Sequence, residues 1–334
     1  MSKLGKGTYE LKRPVILAGA GTVVGPKEGR GPLGKDFDQV KPTDLEGAAT
    51  WEKAESAFLS EAVQIALQKA TLNSENLDVL LGGDLLNQLI SFNFAARDLR
   101  VPAIGLSSAC ATYAEGLGLL AIMIDSGTVE KGVVVTSSHH DAAERQYRYP
   151  TELGVQRPPS SQWTVTGAGA MVLIGAKAGP RVTHVTFGKV VDNGLKDPNN
   201  MGAAMAPAAA DTIGRHLKDT GRTFADYDLV VTGDLGRHGL QLAGELLDLA
   251  GYPSGAKLQD CGVRIYDRDQ DVDCGGSGAA CSAVVLGGEF YPHLATGKLQ
   301  RLLFVGTGSL HSPVSYLQGE SIPGIAHAVT IEGA

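Results

Sequence analysis

The sequence has no long hydrophobic run. Its most apolar stretch, residues 117–124, is far shorter than the about 20 residues that cross a bilayer. The first residues include Lys3, Lys6 and Lys12 but no apolar segment of the kind that a signal peptide requires. We therefore expect neither a signal peptide nor a membrane span, and a cytoplasmic chain unless partner proteins hold it on a membrane.

Cysteine is scarce. The chain has Cys110, Cys261, Cys274 and Cys281, and none of them forms a Cys-x-x-Cys pair. Structural zinc sites and disulfide frameworks usually show closely spaced pairs of cysteines. We therefore expect free thiols in a reducing compartment, and we predict no metal and no cofactor.

Basic residues do not predominate. Lys and Arg total 29 against 36 Asp and Glu, which leaves a net charge of -7. Because nucleic-acid binding needs a basic face, this balance disfavours nucleic acid as a partner. The 334 residues suffice for one large domain or two of ordinary size, and 44 glycines indicate many tight turns.

An internal repeat is present. Three pairs of segments match in the same order: 77–85 with 227–235, 107–124 with 275–286, and 131–138 with 301–308. The identical pairs in the first match are Asp78 and Asp228, Gly83 and Gly233, Asp84 and Asp234, and Leu85 and Leu235. The common order predicts an internal duplication. We divide the chain into an N-terminal half, residues 1–178, and a C-terminal half, residues 179–334.

Apolar strands alternate with helices along both halves. The pattern predicts a helix at 51–70 and strands at 14–19, 79–81, 101–106, 132–136, 170–174 and 182–191. Such alternation is typical of α/β folds with mostly parallel strands. The helix after Cys110 is apolar nearly all round, so we expect it between layers. The prediction is an α/β fold with five layers, α-β-α-β-α, built from two duplicated halves.

Cys110 is the candidate reactive residue. A short apolar strand ends in small residues just before it, and a buried helix follows. The free N–H groups and the dipole of a helix N-terminus favour the thiolate form of a cysteine there. Acyl-transfer enzymes place their nucleophile in such an elbow. The alternative is an inert buried thiol, because free cysteine often behaves as a small hydrophobic residue.

Four segments resemble the thiolase superfamily, which includes ketoacyl-synthase-III-like condensing enzymes. They are residues 107–110, 166–171, 275–279 and 305–308. The resemblance implies a thiolase-like version of the five-layer fold, with Cys110 at the position of the catalytic nucleophile.

Further segments resemble the stage V sporulation protein AD family, which belongs to the SpoVA system of spore-forming bacteria. They lie at the N-terminus and at residues 137–149 and 163–170. This resemblance implies binding of dipicolinic acid and a part in its uptake into the forespore. It also implies SpoVA membrane subunits as partners, which would hold the chain peripherally on the forespore or inner spore membrane. Whether calcium accompanies the dipicolinic acid is left open.

The catalytic partners that the thiolase resemblance implies are missing. In the synthase-III-like register, Gly233 and Gly276 stand where a His and an Asn belong. In the thiolase register, Val272 stands at the His position and Phe304 near the second Cys. We therefore predict a non-catalytic protein in which Cys110 is vestigial or lines the ligand site. The alternative is an acyltransferase or condensing enzyme that uses Cys110 with an unconventional base.

Histidines are the candidates for such a base. His311 follows a turn that borders the active site in superfamily relatives, and His139, His140 and His238 follow predicted strands. We expect two buried helices to bind the carboxylates of a ligand with their N-termini, near Cys110 and Gly278. The predicted ligand-binding residues are Ser108, Cys110, Gly276, Ser277, Gly278, His311 and Arg237.

Two charged segments carry further hypotheses. The acids of residues 267–273 alternate like the start of a calcium loop, but Val272 and Gly278 stand where an EF-hand needs Gly and Glu. We predict an acidic loop and leave calcium binding as the alternative. Residues 145–162 are polar and contain prolines, so we predict a long loop there. Its cluster of Arg145, Tyr147, Arg148, Tyr149 and Arg157 could be a solvated surface, a surface for a partner or a contact within a homodimer, and we favour the homodimer.

Overall fold

The computed structural model describes residues 1–147 and 157–334. Within these ranges, ten strands of three or more residues form one continuous sheet. The strands are β1 (Thr8–Val24), β2 (Val79–Gly83), β3 (Ala103–Gly105), β4 (Lys131–Ser138), β5 (Gly167–Gly175), β6 (Arg181–Phe187), β7 (Leu229–Thr232), β8 (Leu258–Asp260), β9 (Arg301–Ser309) and β10 (Gly324–Glu332). Two-residue strands at Ser2–Lys3 and Gln39–Val40 pair with β1, and Trp163–Thr164 pairs with Gly276–Ser277.

The helices cover and separate the strands. They are α1 (Trp51–Lys69), α2 (Ile90–Leu99), α3 (Thr112–Ser126), α4 (His140–Tyr147), α5 (Met201–Thr220), α6 (Gly236–Leu249), α7 (Ala279–Val285) and α8 (Tyr291–Ala295). A π-helical turn, Leu286–Phe290, joins α7 to α8. Single helical turns occur at Pro26–Gly29, Gly34–Asp36, Ser74–Asn76, Asn87–Leu89, Ala109–Ala111, Phe224–Asp226, Gly255–Lys257, Cys261–Arg264 and Pro313–Tyr316.

The strand order repeats in the two halves of the sheet. From edge to centre it runs β3-β2-β4-β5-β1 in the first half and β8-β7-β9-β10-β6 in the second. The duplicated Asp78 and Asp228 also make equivalent hydrogen bonds to the backbone. Asp78 accepts hydrogen bonds from the N–H groups of residues 130 and 131, and Asp228 accepts them from those of residues 300 and 301. The predicted duplication is therefore present in topology and in local contacts.

The layers follow from which faces the helices cover. Helices α1 and α2 pack on the outer face of the first half, and α5 and α6 on the outer face of the second. Helix α3 contacts strands of both halves and α7 packs beside it, with Tyr113, Leu117 and Leu120 of α3 fully buried. The predicted five-layer α-β-α-β-α arrangement is confirmed.

Some element boundaries differ from the prediction. Strand β1 is much longer than residues 14–19, because its glycines serve packing and do not end the strand. A Cβ on Gly21 would lie 2.0 Å from the carbonyl oxygen of Ala62 in α1, so only glycine lets this helix lie so close. The predicted long loop at 145–162 begins as helix α4, and residues 148–156 lie outside the described residues.

The structure also bears on the membrane prediction. Among the described helices, none combines the length and the apolar character that a bilayer crossing requires.

Candidate functional site

Cys110 lies in a tight elbow between β3 and α3. The elbow is the helical turn Ala109–Ala111, and Ala109 has a positive φ of 50°. Strand β9 packs directly against it through Gly308. A Cβ on Gly308 would lie 2.5 Å from the Ser108 carbonyl oxygen, so this close approach requires glycine. The elbow predicted from the sequence is thus held in place by the second half of the chain.

The Cys110 side chain faces a small cavity of about 50 Å³ that opens to solvent. The residues that line it come from both halves of the chain. They include residues of helices α4 and α5, the end of β9, and the turns that contain Cys110 and Ser277. They are Leu85, Ala109, Cys110, Ala143, Glu144, Tyr147, Thr164, Met201, Ser277, Ser309 and His311. We refer to this space as the Cys110 cavity.

A buried carboxylate, Asp234, organises the floor of the Cys110 cavity. Its Oδ2 accepts hydrogen bonds from the Ser277 hydroxyl at 3.0 Å and from the Gly278 N–H at 3.1 Å. Its Oδ1 accepts a third from the Thr307 hydroxyl at 2.7 Å. The Ser277 hydroxyl also lies 3.9 Å from the Cys110 sulfur, so thiol and carboxylate share one polar cluster.

The Cys110 thiol is held in its protonated form. Burial raises its pKa well above the usual value, and the charge of Asp234 raises it further. Hydrogen bonds from the Gly278 N–H and Ser277 act in the opposite direction and offset only part of the rise. Desolvation and a neighbouring acid thus outweigh the effect of the helix N-terminus, which by itself favours a thiolate.

The N-terminus of α7 is already occupied. We expected its N–H groups to be available for a ligand carboxylate, but the Gly278 N–H donates to Asp234. Burial raises the pKa of Asp234, while the hydrogen bonds that it accepts lower it. The protein thus supplies its own carboxyl group at the place where the sequence predicted a bound anion.

The positions of the missing catalytic residues are tightly packed. A Cβ on Gly276 would lie 2.7 Å from Cγ2 of Ile265, and one on Gly233 would lie 3.1 Å from the backbone nitrogen of Thr307. Val272 is buried, and Phe304 packs edge-to-face on Tyr113 with ring centroids 6.2 Å apart. A larger residue at either glycine would therefore require its neighbours to move.

The candidate histidines lie in different environments. His311 lines the Cys110 cavity, where its ring packs between Tyr147 and Tyr316, with centroids 4.9 and 5.9 Å away. His139 is buried, and its Nε2 lies 3.1 Å from the carbonyl oxygen of Asp44. His140 stacks on Trp163 and His238 is exposed, so neither is among the residues that line the cavity.

Four predicted ligand residues do not line the cavity: Ser108, Gly276, Gly278 and Arg237. The Ser108 N–H donates to the Thr112 hydroxyl at 3.0 Å, and the Gly276 carbonyl accepts from the Gln162 amide at 3.0 Å. The guanidinium of Arg237 donates to the carbonyl oxygen of Asp273 at 2.6 Å. Arg237 therefore supports the acidic segment and supplies no charge to the cavity wall.

The acidic segment at residues 267–273 pairs with an arginine. Arg157 lies 3.2 Å from a carboxylate oxygen of Asp271 and 3.4 Å from one of Asp273. Among the residues that the structure describes, no group of three or more His, Cys, Asp or Glu side chains is placed to hold a metal ion. Of the predicted homodimer cluster, Arg148 and Tyr149 lie outside the described residues.

Sequence reasoning missed three residues of the site. Asp234 was noted only as a member of the identical pair Asp84 and Asp234, although that identity was the available signal. Thr307 and Ser309 lie in the repeated strand β9, and no pattern marked their hydroxyl groups. Ser309 is buried on the cavity wall, and its Oγ has no hydrogen-bond partner among the described residues.

Comparison with known families identifies the family of this chain. The family model for stage V sporulation protein AD matches residues 5–332. The chain belongs to the stage V sporulation protein AD family. A stage V sporulation protein AD from Bacillus subtilis (strain 168) is 46% identical over 334 residues, which cover 100% of this chain and 99% of the relative. This membership ties the chain to sporulation.

Solved structures with the same fold include a 3-oxoacyl-[acyl-carrier-protein] synthase III and OleA. The 3-oxoacyl-[acyl-carrier-protein] synthase III of Aquifex aeolicus VF5 superposes with a TM-score of 0.60 at 15% identity, covering 95% of this chain and 99% of that chain. A variant of OleA from Xanthomonas campestris gives a TM-score of 0.63 at 16% identity, covering 97% of this chain and 100% of that chain. At these identities the likeness establishes the thiolase-like fold and no more.

Proposed function

We propose that this protein acts in sporulation as a non-catalytic binding protein for dipicolinic acid, which it holds in the Cys110 cavity. The observation that carries the proposal is the surroundings of Cys110. Its sulfur is linked through Ser277 to a buried acid, and the positions of the catalytic partners are tightly packed. An enzyme that used this thiol would need a nearby base to make the thiolate.

The cavity wall offers groups that suit a planar dicarboxylate. The rings of Tyr147 and His311 form an aromatic side against which a pyridine ring can pack. The Ser309 hydroxyl is buried without a partner, so it can donate to a carboxylate oxygen at no cost in existing bonds. Ser277 and Thr164 place two more hydroxyl groups on the same wall.

Calorimetry tests this proposal. Dipicolinic acid should bind, and benzene-1,3-dicarboxylic acid, which keeps both carboxylates but lacks the ring nitrogen, should bind more weakly. Ser309→Ala should weaken binding about tenfold, as expected for a lost hydrogen bond to a charged group. Ser60→Ala, a serine on α1, is the matched control. Absence of binding at millimolar dipicolinic acid would remove the proposal.

The rival function is acyl transfer from Cys110, and the elbow shared with condensing-enzyme folds favours it. Incubation with acyl-CoA of several chain lengths, followed by intact-mass measurement, separates the two functions. We expect no adduct on Cys110. An acyl adduct that forms and turns over would show that the protein is an acyltransferase and would overturn the proposal of a non-catalytic binding protein.

In the cell, we propose that the protein takes part in dipicolinic acid uptake into the forespore, held peripherally on its membrane by SpoVA membrane subunits. Family membership supports this role. Forespores that carry a variant defective in dipicolinic acid binding should accumulate less of it. Co-purification of that variant with the membrane subunits shows whether attachment is independent of dipicolinic acid binding.

We also propose a homodimer. Strand β3 is the edge of the first half of the sheet, all three of its residues are exposed, and Ile104 is 44% exposed. An open strand edge offers unpaired N–H and C=O groups to a second copy. Light scattering should give twice the chain mass, and Ile104→Glu should give monomers. A wild-type monomer at high concentration would contradict the proposal.

A further inference from the structure

A second pocket lies behind the wall of the Cys110 cavity. The wall is the short strand Trp163–Thr164, whose successive side chains point in opposite directions. Thr164 lines the Cys110 cavity, and Trp163 lines the second space. We name this space the Trp163 pocket; its main lining residues are Lys27, Glu28, Asp44, His140, Asp141 and Trp163.

Glu28 is the most unusual group in the Trp163 pocket. The residue is fully buried, and its Oε1 accepts hydrogen bonds from the Tyr266 hydroxyl and, at 3.0 Å, from the Thr166 N–H. Its Oε2 has no partner among the described residues. A buried carboxylate oxygen without a donor is costly, so this atom marks a place where a donor is missing.

Two more carboxylates border the same space without partners. Within residues 1–147 and 157–334, the side chains of Asp44 and Asp141 make no hydrogen bond and no ion pair. An Asp44 oxygen and Glu28 Oε2 face each other across Gly25, at 2.7 and 2.9 Å from the position that a Cβ there would take. Burial raises the pKa of both Glu28 and Asp141, and the charge of Asp44 raises each of them further.

Basic residues also line the pocket or border it, and Lys27 interacts electrostatically with Glu28 while His139 does so with Asp141. The ammonium of Lys27 lies over the Trp163 ring, 3.7 Å from its centroid, and His140 stacks on the ring at 3.6 Å. Neither Lys27 nor the exposed Arg30 forms an ion pair with a described residue. The acids are also not spaced as metal ligands, because the described part of the chain contains no group of three such side chains placed to hold a metal ion.

We propose that the Trp163 pocket is a second binding site and that it takes a small organic cation through a primary ammonium group. An ammonium carries three N–H donors and can serve Glu28, Asp44 and Asp141 together. Hydrogen bonds between charged groups are short and strong, and the partly enclosed pocket strengthens them further. Recognition of the cation rests on these acids, because Lys27 and His140 already contact the Trp163 ring.

Tryptophan fluorescence provides the test, because Trp163 lies in the site and Trp51 is the other tryptophan of the chain. In a Trp51→Phe background, n-butylammonium should change the Trp163 emission in a saturable way. Tetramethylammonium, which has the charge but no N–H donor, should not. An equal response to both ions, or no saturable response at tens of millimolar, would overturn the proposal.

Variants separate the site from a general charge effect. Glu28→Gln and Asp141→Asn should each weaken n-butylammonium binding about tenfold, since each removes one charged acceptor. Asp98→Asn, an exposed acid on α2, is the matched control and should change nothing. If Glu28→Gln does not fold, Asp141→Asn against Asp98→Asn decides. Calorimetry with dipicolinic acid on Asp141→Asn should match wild type, so the two proposals fail independently.

Discussion

The hydroxyl of Ser277 donates a 3.0 Å hydrogen bond to the carboxylate of Asp234. This contact joins the short strand before α7 to the turn after β7, and it brings an acid beneath the Cys110 thiol. A cysteine nucleophile reacts as the thiolate. The negative charge of a buried carboxylate repels a thiolate, so Asp234 raises the pKa of Cys110. The pair therefore marks a site where the shape of an acyl-transfer elbow remains and its reactivity is suppressed.

Cys110 should react slowly with alkylating reagents. At pH 7.5 its rate with iodoacetamide should be at least about tenfold below that of glutathione, because its pKa is raised by burial and by Asp234. Asp234→Asn should speed the reaction, since the negative charge is removed. Peptide mass spectrometry resolves the four cysteines, and the urea-unfolded protein is the control. Rapid alkylation of the folded wild type would contradict the burial of the thiol.

Asp234→Ala should destabilise the protein by about 3 kcal/mol, because it leaves Ser277, Gly278 and Thr307 without their acceptor. Thr307→Val removes only one of these bonds and should cost about 1 kcal/mol. Urea unfolding measures both. Equal losses for the two variants would show that Asp234 is not the centre of the cluster.

Glu55, which is buried beside Asp84, should make a contribution to stability that falls as the pH rises from 5 to 8. Burial, reinforced by the charge of Asp84, raises the pKa of Glu55 from 4.5 to about 8. Between these values Glu55 keeps a proton in the folded state that it releases in the unfolded state, so its contribution to the free energy of unfolding decreases with pH, by at most about 1.4 kcal/mol per pH unit.

The matched variant isolates this contribution. Glu55→Gln should unfold with a shallower pH dependence than wild type over the same range, while Glu75→Gln, at an exposed glutamate, should follow wild type. Chemical denaturation at several pH values gives the slopes. Parallel curves for wild type and Glu55→Gln would show that Glu55 is already ionised in the folded protein.

Gly308→Ala should disturb the Cys110 elbow. The new Cβ would lie 2.5 Å from the Ser108 carbonyl oxygen and 3.1 Å from the Ala111 nitrogen, so strand and elbow must separate. We expect a loss of about 2 kcal/mol and weaker dipicolinic acid binding. Gly244→Ala in α6, whose Cβ would meet nothing closer than 3.6 Å, should stabilise by about 0.5–1 kcal/mol. Thermal unfolding compares the two.

The fold could be predicted because the sequence signals of its strands and helices are local and occur in both halves of the chain. Two similar halves can be recognised from the sequence alone. The signals are the apolar strands, such as β4 and β9, and the identical pair Asp78 and Asp228. Strand β1 was underestimated for a physical reason. Glycine normally weakens a strand, and the role of Gly21 appears only when the backbone of α1 lies against it.

The site was predicted only in outline. Cys110, Ser277 and His311 do border one cavity, since the elbow and the glycine-rich turns mark it. The role of Asp234 could not be read, because its partners come from segments far apart in the chain and the contact exists only after folding. The role of Arg237 could not be predicted for the same reason. Its charge can be read from the sequence, but its hydrogen bond to the carbonyl group of Asp273 appears only in the folded chain.

The antiparallel pairing of β1 with β6 has a consequence for folding. It joins the two halves edge to edge, and the central core combines Tyr113 and Leu117 of one half with Phe304 and Val329 of the other. Neither half can lose its structure without exposing the core of its counterpart. Duplication therefore produced two copies of a topology but a single cooperative unit, which should melt in one transition.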